Sequence, residues 1–480
     1  MNLARVLGEI EFPTANRDLW QALAEKTLAG QSLDAALVSH TDDGIRIDPI
    51  LERDPTGSLE PRKLPGAPWT VVQRVDDPDP ARANRQVLED IEQGATGLSL
   101  VFEGAPNAFG CGLPASAEAL EFVLAEVPLA RTYIRLDVHP ASRAAADWLV
   151  ALLGRRRIDP AKLNLSFGID PAAIFGSTGR LAMSIEALQA SMPPSLAHFF
   201  ALGIPGVLLE ADGRVYHNAG ATEAQELGAM LASAAAHLRL FEDARQALVY
   251  ASPHIGFATS ADQDQFVSIA KLRALRKLWA RLLEVCSIPP SPATIHAETS
   301  WRMMTAADPE TNILRSTIAC FAAAVGGADS ISVLPHTISH GLPTGFARRI
   351  ARNTQLVAAS ESHLDFVADP SSGSGSIEAL TDALCEKAWD EFRAVESEGG
   401  ILRSLADGKL QRRIVEARDE RVGNFRAGER QIVGTTIYRL ASEKPVETLA
   451  AEKRPMPTDG AVHCPKLEAL RIDQLIGNQS

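Results

Sequence analysis

The chain has 480 residues, of which 46% are hydrophobic and 22% are charged, and its formal net charge is −13. These proportions exclude a disordered or collagen-like chain and indicate a soluble globular protein with a sizeable core. The acidic balance argues against a broad nucleic-acid-binding face, because neutralising phosphates requires an excess of cations. The five cysteines form no CxxC pair, so neither a disulfide framework nor a zinc ribbon is indicated.

The start of the chain carries no recognisable targeting signal. Three acidic residues and two arginines interrupt the first twenty residues, so a secretory signal with a continuous apolar segment is not predicted. No stretch approaches the roughly 18 apolar residues that a membrane-spanning helix needs. We therefore expect a cytoplasmic protein that does not enter a membrane.

Residues 1–68 form the first of three predicted regions, an N-terminal arm. Its apolar residues recur at near-helical spacing, and they are Leu19, Trp20, Leu23, Leu28, Leu33, Ala36 and Leu37. An extended stretch rich in proline, glycine and aspartate follows at residues 42–68. An arm of this kind rarely folds alone, so we expect it to wrap a larger domain or to associate with a partner subunit.

Residues 69–440 form the second region, in which short apolar runs alternate with longer helical segments. The predicted strands are residues 98–102, 134–138, 163–168, 207–211, 255–259, 294–297 and 330–334. Repeated strand–helix alternation predicts parallel strands with crossover helices, and about eight units favour an α/β fold of the (β/α)8 TIM-barrel type. We expect the eighth strand near residues 365–377.

Residues 441–480 form the third region, where four prolines and mixed charges replace the helical pattern. We predict a mostly irregular tail that is too short for a further domain. A single short helix is expected within residues 467–476.

The clearest predicted helix of the chain spans residues 262–286. Five basic residues lie mostly off its apolar stripe, and they are Lys271, Arg273, Arg276, Lys277 and Arg281. We expect these side chains on a solvated or interface face, with an anion-binding site as the alternative.

Two pairs of polar residues follow predicted strands, which is where barrel enzymes build their active sites. Tyr216 and His217 would supply a phenolic donor and an acid–base group, although a purely structural pair is an equal alternative. Alternation along a strand places His296 and Glu298 on one side of it. A histidine and a carboxylate can bind a metal or move protons, but no third ligand is spaced nearby, so no metal site is predicted.

The remaining motifs point to no specific chemistry. The glycine-rich segments match neither GxGxxG nor GxxxxGK[ST], and no GxSxG elbow is present. The run DVHPAS at residues 137–142 resembles the DxHxxG loop that supplies an imidazole to cobalt in cobalamin proteins. Because Ser142 replaces the final glycine, we interpret His139 as part of an ordinary strand-end loop. These motifs predict a soluble barrel that is an enzyme or the descendant of one.

Longer strings of the sequence resemble the methylmalonyl-CoA mutase family, and they occur in the family's order. The strings are PWTVVQ at residues 68–73, AKLRALRKLW at 270–279, RIARNTQ at 349–355, DPSSGS at 369–374 and VESEGG at 395–400. Together they cover nearly the whole chain between residues 20 and 438. The resemblance implies a substrate barrel threaded by the pantetheine of CoA and capped on its C-terminal face by a cobalamin-binding domain.

The chain departs from the catalytic pattern of that family. The TIQND and RNTYIYPP blocks, which hold the substrate carboxylate in catalytic chains, are absent after residues 163–168. Arg180 is a possible substitute, but its spacing does not match. Val72 stands where PWTxRQ has its arginine, and the sequence after Tyr438 is too short for a cobalamin-binding domain.

These departures resemble the small, non-catalytic β subunit of bacterial heterodimeric mutases, as do YHNAGA at residues 216–221 and SWRMMT at 300–305. The resemblance also implies that five residues match positions facing the substrate or the adenosyl group, and we interpret them as remnants. They are Tyr216, His217, His296, Glu298 and Glu361.

The resemblance further implies a catalytic large (α) subunit as the partner and an acyl-CoA substrate in the holoenzyme. Adenosylcobalamin would be bound mainly by that partner, and not by this chain alone. The reaction would be the isomerisation of (R)-methylmalonyl-CoA to succinyl-CoA. Two alternatives remain open: a substrate-binding acyl-CoA mutase subunit that pairs with a separate cobalamin-binding protein, and a repurposed barrel with hydrolase or lyase chemistry.

Overall fold

The computed structural model describes residues 16–64, 66–452 and 459–477. Eight parallel strands close into a barrel in chain order. They are β1 (Thr70–Val75), β2 (Gly97–Leu100), β3 (Tyr133–Leu136), β4 (Leu165–Ile169), β5 (Val207–Asp212), β6 (Ile255–Ala261), β7 (Thr294–Thr299) and β8 (Ser330–Ser332). The last strand pairs with the first, with Ser330 opposite Thr70. The predicted (β/α)8 barrel is confirmed.

Helices surround the barrel and extend beyond it at both ends of the chain. They are α1 (Arg17–Thr27), α2 (Leu33–Leu37), α3 (Pro80–Glu92), α4 (Ala117–Val123), α5 (Ser142–Arg155), α6 (Pro171–Thr178), α7 (Ile185–Ala201), α8 (Arg214–Ala219), α9 (Glu223–Asp243), α10 (Leu248–Ala251), α11 (Gln265–Val285), α12 (Thr311–Val325), α13 (Gly345–Ser360), α14 (Gly375–Ser397), α15 (Ile401–Ala406), α16 (Lys409–Arg426) and α17 (Ile472–Gly477). Helix α14 packs against both α9 and α11, so it forms an outer layer on that side. Across the described ranges, no helix combines the length and the apolar character needed to cross a membrane.

Three pairs of two-residue strands lie outside the barrel, and two of them connect the tail to segments around it. Ser39–His40 pairs with Arg46–Ile47 in the arm, whereas Thr448–Leu449 and Val462–His463 in the tail pair with Leu342–Pro343 and Arg180–Leu181. The predicted irregular tail therefore contains short paired strands. Its predicted helix is α17, which begins at Ile472 and ends at Gly477.

The prediction of the eighth strand near residues 365–377 is wrong. The missing strand is β1, which precedes the seven predicted strands and is buried after its first residue. Residues 365–374 form a loop, and α14 begins at Gly375. The β-branched run TVVQRV is typical of a strand, but we interpreted residues 68–73 only as a family string. Tyr216 therefore follows the fifth strand of the barrel, and His296 lies on the seventh.

The predicted arm consists of two parts with different environments. No residue of α1 or α2 is fully buried, and Leu19 and Leu23 are 44% and 56% exposed. Residues 42–64 instead run along the barrel, where Arg421 Nε donates to Asp42 Oδ2 at 2.6 Å and Arg62 is buried. The second part thus belongs to the shell of the barrel, and the apolar stripe of the first part is uncovered within the described chain.

We predict that Asp43→Asn will flatten the pH dependence of stability. Burial, and then the neighbouring Glu223, raise the pKa of Asp43 from 3.8 to about 7. The folded state therefore binds this proton more tightly than the unfolded state does, so the resulting stabilisation is lost as pH rises through 7. Between pH 5.5 and 8 the wild type should lose roughly 1–2 kcal/mol through this carboxyl, which the variant should retain.

Urea unfolding at several pH values would measure this difference. The matched control is Asp18→Asn on the exposed helix α1, which should follow the wild type. The neighbouring cavity, which Asp42, Arg302, Arg421 and Arg430 line, is unchanged in both variants. An Asp43→Asn curve parallel to that of the wild type would contradict the prediction.

We predicted a solvated or interface face for the five basic residues of α11, and the solvated part of that prediction is wrong for three of them. Lys271, Arg273 and Arg276 are buried. Lys271 Nζ donates to Glu226 Oε2 at 2.6 Å, and Arg273 donates to Glu378 Oε1 at 2.6 Å. Glu226 belongs to α9 and Glu378 to α14, so these cations lie at contacts between α11 and its neighbouring helices. These cations are already paired with carboxylates of the chain, so they do not support the alternative of an anion-binding site.

Candidate functional site

Ion pairs fill the barrel towards the carboxyl-terminal ends of its strands. Arg135 on β3 pairs with Glu210 on β5, and its Nη1 lies 2.9 Å from Asp137 Oδ2. Arg135 and the Asp137 side chain have no solvent-exposed surface. Although burial opposes ionisation, Arg214 and Arg135 hold the pKa of Asp137 well below its usual range. Asp137 is therefore a carboxylate that neighbouring guanidinium groups neutralise inside the barrel.

Arg214 bridges opposite walls of the barrel. It follows β5, and its guanidinium lies 2.7 Å from Asp212, 2.9 Å from Asp137 and 3.2 Å from Glu298. Asp137 follows β3 and Glu298 lies on β7, and these two strands face each other in the eight-stranded ring. A guanidinium bonded to both carboxylates must cross the barrel axis. The axis is therefore occupied at this level by the chain's own side chains.

His217 lies on α8 and is fully buried among fixed partners. Its Nε2 is 2.8 Å from Ser300 Oγ, and its Nδ1 is 3.2 Å from Glu226 Oε2. Burial, and then the positive charge of Arg302, hold the pKa of His217 well below its usual range. The ring is therefore held in its neutral form, and both of its nitrogens contact side chains of the same chain. The adjacent Tyr216 is also fully buried, which raises its pKa well above the usual value.

His296 and Glu298 share the interior side of β7, as alternation along a strand requires. His296 Nδ1 lies 2.9 Å from Ser330 Oγ, and Ser332 Oγ donates to Glu298 Oε2 at 3.1 Å. Burial, followed by the nearby Arg135, holds the pKa of His296 well below its usual range. Glu298 is therefore paired with Arg214, and His296 is kept uncharged by its burial.

Glu361 and Arg180 do not join this group. Glu361 is exposed at the end of α13. A crossover helix runs antiparallel to its strand, so this end lies at the opposite face of the barrel from the strands' carboxyl ends. Arg180 instead contacts the tail, where its guanidinium pairs with Asp459. The structure therefore brings together His296 and Glu298 on β7, places Tyr216 and His217 on α8, and separates Glu361 from both pairs.

Sequence analysis missed the residues that bridge the barrel. Arg135 and Asp137 alternate along one apolar run, and Glu210 and Asp212 alternate along another. Charges at alternate positions of otherwise apolar, buried strands indicate a charged barrel interior, because only the interior face collects every second residue. That signal was available in the sequence. It does not reveal that Arg214 reaches the opposite wall.

The residues present do not fit the two groups that the family implies. A pantetheine arm along the axis would collide with Arg214 and its carboxylate partners. A cobalt-binding imidazole needs an accessible nitrogen, but His139 is buried, with Nε2 2.8 Å from Glu103 O and Nδ1 accepting from Ala141 N at 3.0 Å. Both ring nitrogens are thus occupied by the backbone. In this chain residues 137–141 form a strand-end loop, and Ser142 begins α5.

The fold and these contacts define a (β/α)8 barrel whose axis is closed by internal ion pairs. The sequence matches the family described as methylmalonyl-CoA mutase over residues 56–473. The chain belongs to the methylmalonyl-CoA mutase family, as its sequence strings predicted.

Within the family, the chain is more similar to small subunits than to a mitochondrial mutase. The chain is 37% identical to the methylmalonyl-CoA mutase small subunit of Streptomyces virginiae, over 93% of this chain and 74% of that protein. It is 33% identical to the small subunit of Propionibacterium freudenreichii subsp. shermanii, over 91% of this chain and 71% of that protein. Identity to the mitochondrial methylmalonyl-CoA mutase of Bos taurus is 27%, over 90% of this chain and 62% of that protein.

Proposed function

We propose that this chain is the non-catalytic small subunit of an adenosylcobalamin-dependent methylmalonyl-CoA mutase. The observation that carries the proposal is the axis closed by Arg214 between Asp137 and Glu298. An acyl-CoA substrate needs that space in a catalytic barrel of this family. The higher identity to small subunits than to the mitochondrial enzyme supports the same assignment.

The partner in this proposal is a catalytic large subunit of the same family. That subunit binds adenosylcobalamin and acyl-CoA and converts (R)-methylmalonyl-CoA to succinyl-CoA. When bound, the cofactor supplies the radical chemistry of the carbon-skeleton rearrangement. This chain contributes a rigid barrel and an uncovered apolar arm, which together suit a subunit that stabilises the complex. The closed axis also argues against a substrate-binding subunit that borrows its cobalamin domain from a separate protein.

Reconstitution tests the proposal directly. The chain alone should show neither mutase turnover nor stoichiometric binding in a titration with adenosylcobalamin. Mixed with a large subunit, it should form a stable complex that isomerises methylmalonyl-CoA. Tight cofactor binding by the chain alone that requires His139, or turnover without the large subunit, would overturn the proposal.

We predict that His217→Gln will leave turnover of the complex within a few-fold of the wild type. Glutamine can preserve a hydrogen bond to Ser300, and the neutral, enclosed imidazole does not reach the barrel axis. Loss of an acid–base group in an active site would instead cost roughly 100-fold or more. The kcat of complexes purified by size exclusion measures the effect, with Tyr216→Phe as a companion variant. A 100-fold decrease with assembly intact would assign catalysis to this chain.

A further inference from the structure

The last described segment of the chain, residues 459–477, crosses the carboxyl-terminal mouth of the barrel, and we call it the strap. Its backbone amides donate in turn to the segments that directly follow β4, β5 and β7, including the short helices α6 and α8. The bonds are Cys464 N to Gly179 O at 2.9 Å, Leu467 N to Gly176 O at 2.8 Å, Leu470 N to Asn218 O at 2.9 Å and Ile472 N to Arg302 O at 3.1 Å. The strap is therefore attached on several sides of the mouth.

A column of stacked side chains joins the strap to the interior of the barrel. The Arg471 guanidinium lies 5.1 Å from the ring centre of Trp301. Trp301 is stacked on Phe109, with ring centres 4.1 Å apart and planes 8° from parallel. On the far side of Phe109, the guanidinium of Arg74 lies 5.2 Å from the ring centre. Cation–π contacts of this kind gain strength when they are desolvated, and Arg471 and Arg74 are both buried.

The segments below the strap carry glycines at positions where the strap approaches closely. Gly179 has a φ of +72°, and a Cβ there would lie 3.0 Å from the carbonyl oxygen of Cys464. A Cβ on Gly176 would lie 3.3 Å from Leu467, whose side chain is buried. The strap also forms part of the wall of a cavity of about 380 Å³ whose lining includes residues 104–110 and Trp301. These close contacts indicate that the strap is packed against the barrel.

We propose that the strap is a built-in cover that closes the mouth of the barrel and excludes docking of another domain there. The family resemblance implies that catalytic chains carry their cobalamin-binding domain on the same face of the barrel, at the carboxyl-terminal ends of the strands. A domain approaching this chain would meet the strap before it reached the strand ends. This inference does not depend on the proposed function, because the strap covers the mouth of the barrel in the isolated chain.

The chain contains natural reporters for this cover. Cys464 is a free, half-buried cysteine on the strap, and its thiol lies 3.5 Å from the carbonyl oxygen of Phe175. Cys286 is exposed, so it reports the intrinsic alkylation rate. Cys320 is buried in α12, so it reports whether the barrel itself has opened. Alkylation with iodoacetamide, followed by peptide analysis, measures the alkylation rates of all three cysteines in one sample.

Two variants of the full chain test the column from opposite ends. Trp301→Ala removes its centre, and Arg471→Gln alters only the strap, so the second variant remains informative if the first one fails to fold. We expect the alkylation rate of Cys464 to rise at least about tenfold in each, the size expected for losing a desolvated cation–π contact. Cys286 and Cys320 should be unchanged. Arg393→Gln, on an exposed ion pair of α14, is the control.

Hydrogen exchange completes the test without needing a partner. Residues 104–110 should be protected in the wild type and should exchange faster in both variants. Unchanged Cys464 alkylation and unchanged exchange at residues 104–110 in both variants would overturn the cover. In a complex with the large subunit, new protection of the strap would show that the mouth is an interface, which would overturn the exclusion. Failure to form that complex would instead count against the proposed function.

Discussion

Replacing Arg214 with methionine is expected to destabilise the chain by about 3–5 kcal/mol, because it removes one partner from a buried ion-pair network. The variant would leave Asp137, Asp212 and Glu298 without the guanidinium that bonds all three. Methionine approximates the volume of the arginine stem, so the loss would report charge rather than a cavity. Urea unfolding followed by circular dichroism measures the change in the free energy of unfolding.

The control for this experiment is Arg239→Met, which removes an arginine that is 58% exposed and paired with Glu396. Exposed pairs contribute about 0–1 kcal/mol, so this variant should resemble the wild type. If Arg214→Met does not fold, adding Asp212→Asn should restore folding, because Asp212 loses its guanidinium partner whereas Asp137 keeps Arg135 and Glu298 keeps Arg74. An Arg214→Met chain that unfolds within about 1 kcal/mol of the wild type would contradict the expected contribution of this network to stability.

Deleting residues 1–40 is expected to weaken association with the large subunit at least about 100-fold. The deletion removes the uncovered stripe on α1 and α2, which includes Leu19, Leu23 and Leu37. Burial of one large apolar side chain contributes roughly 1.5–3 kcal/mol, so a few of them supply much of an interface. The barrel should stay folded, because residues 42–64 are anchored on it separately.

Two point variants separate the stripe from the rest of the arm. Leu19→Ser combined with Leu23→Ser should reproduce most of the loss of binding. Leu59→Ser combined with Leu64→Ser replaces leucines that are 68% and 70% exposed outside the stripe, and it should bind normally. Titration in an analytical ultracentrifuge gives the dissociation constants, and thermal unfolding checks the barrel. Full-strength binding by the truncated chain would show that the arm is not the tether, whereas failure to fold would place it in the chain's own core.

Local sequence pattern was sufficient for the architecture. Strand–helix alternation is a short-range property, so it predicted a (β/α)8 barrel and seven of its strands within a few residues. Family strings spread along the chain predicted membership of the mutase family for the same reason, since each is a contiguous run. The β-branched run of β1 carried an equally local signal, which we had assigned only to a family string.

Contacts between segments that are distant in the chain could not be predicted from the sequence pattern. Lys271 and Arg273 on α11 are buried against carboxylates of α9 and α14, respectively, although the helical pattern alone predicts a solvated or interface face for them. Arg214 and Glu298 are 84 residues apart, and only closure of the barrel brings them together. The strap likewise lies over loops that are far from it in sequence. Burial and pairing depend on which elements become neighbours, and periodicity within one element contains no information about its neighbours.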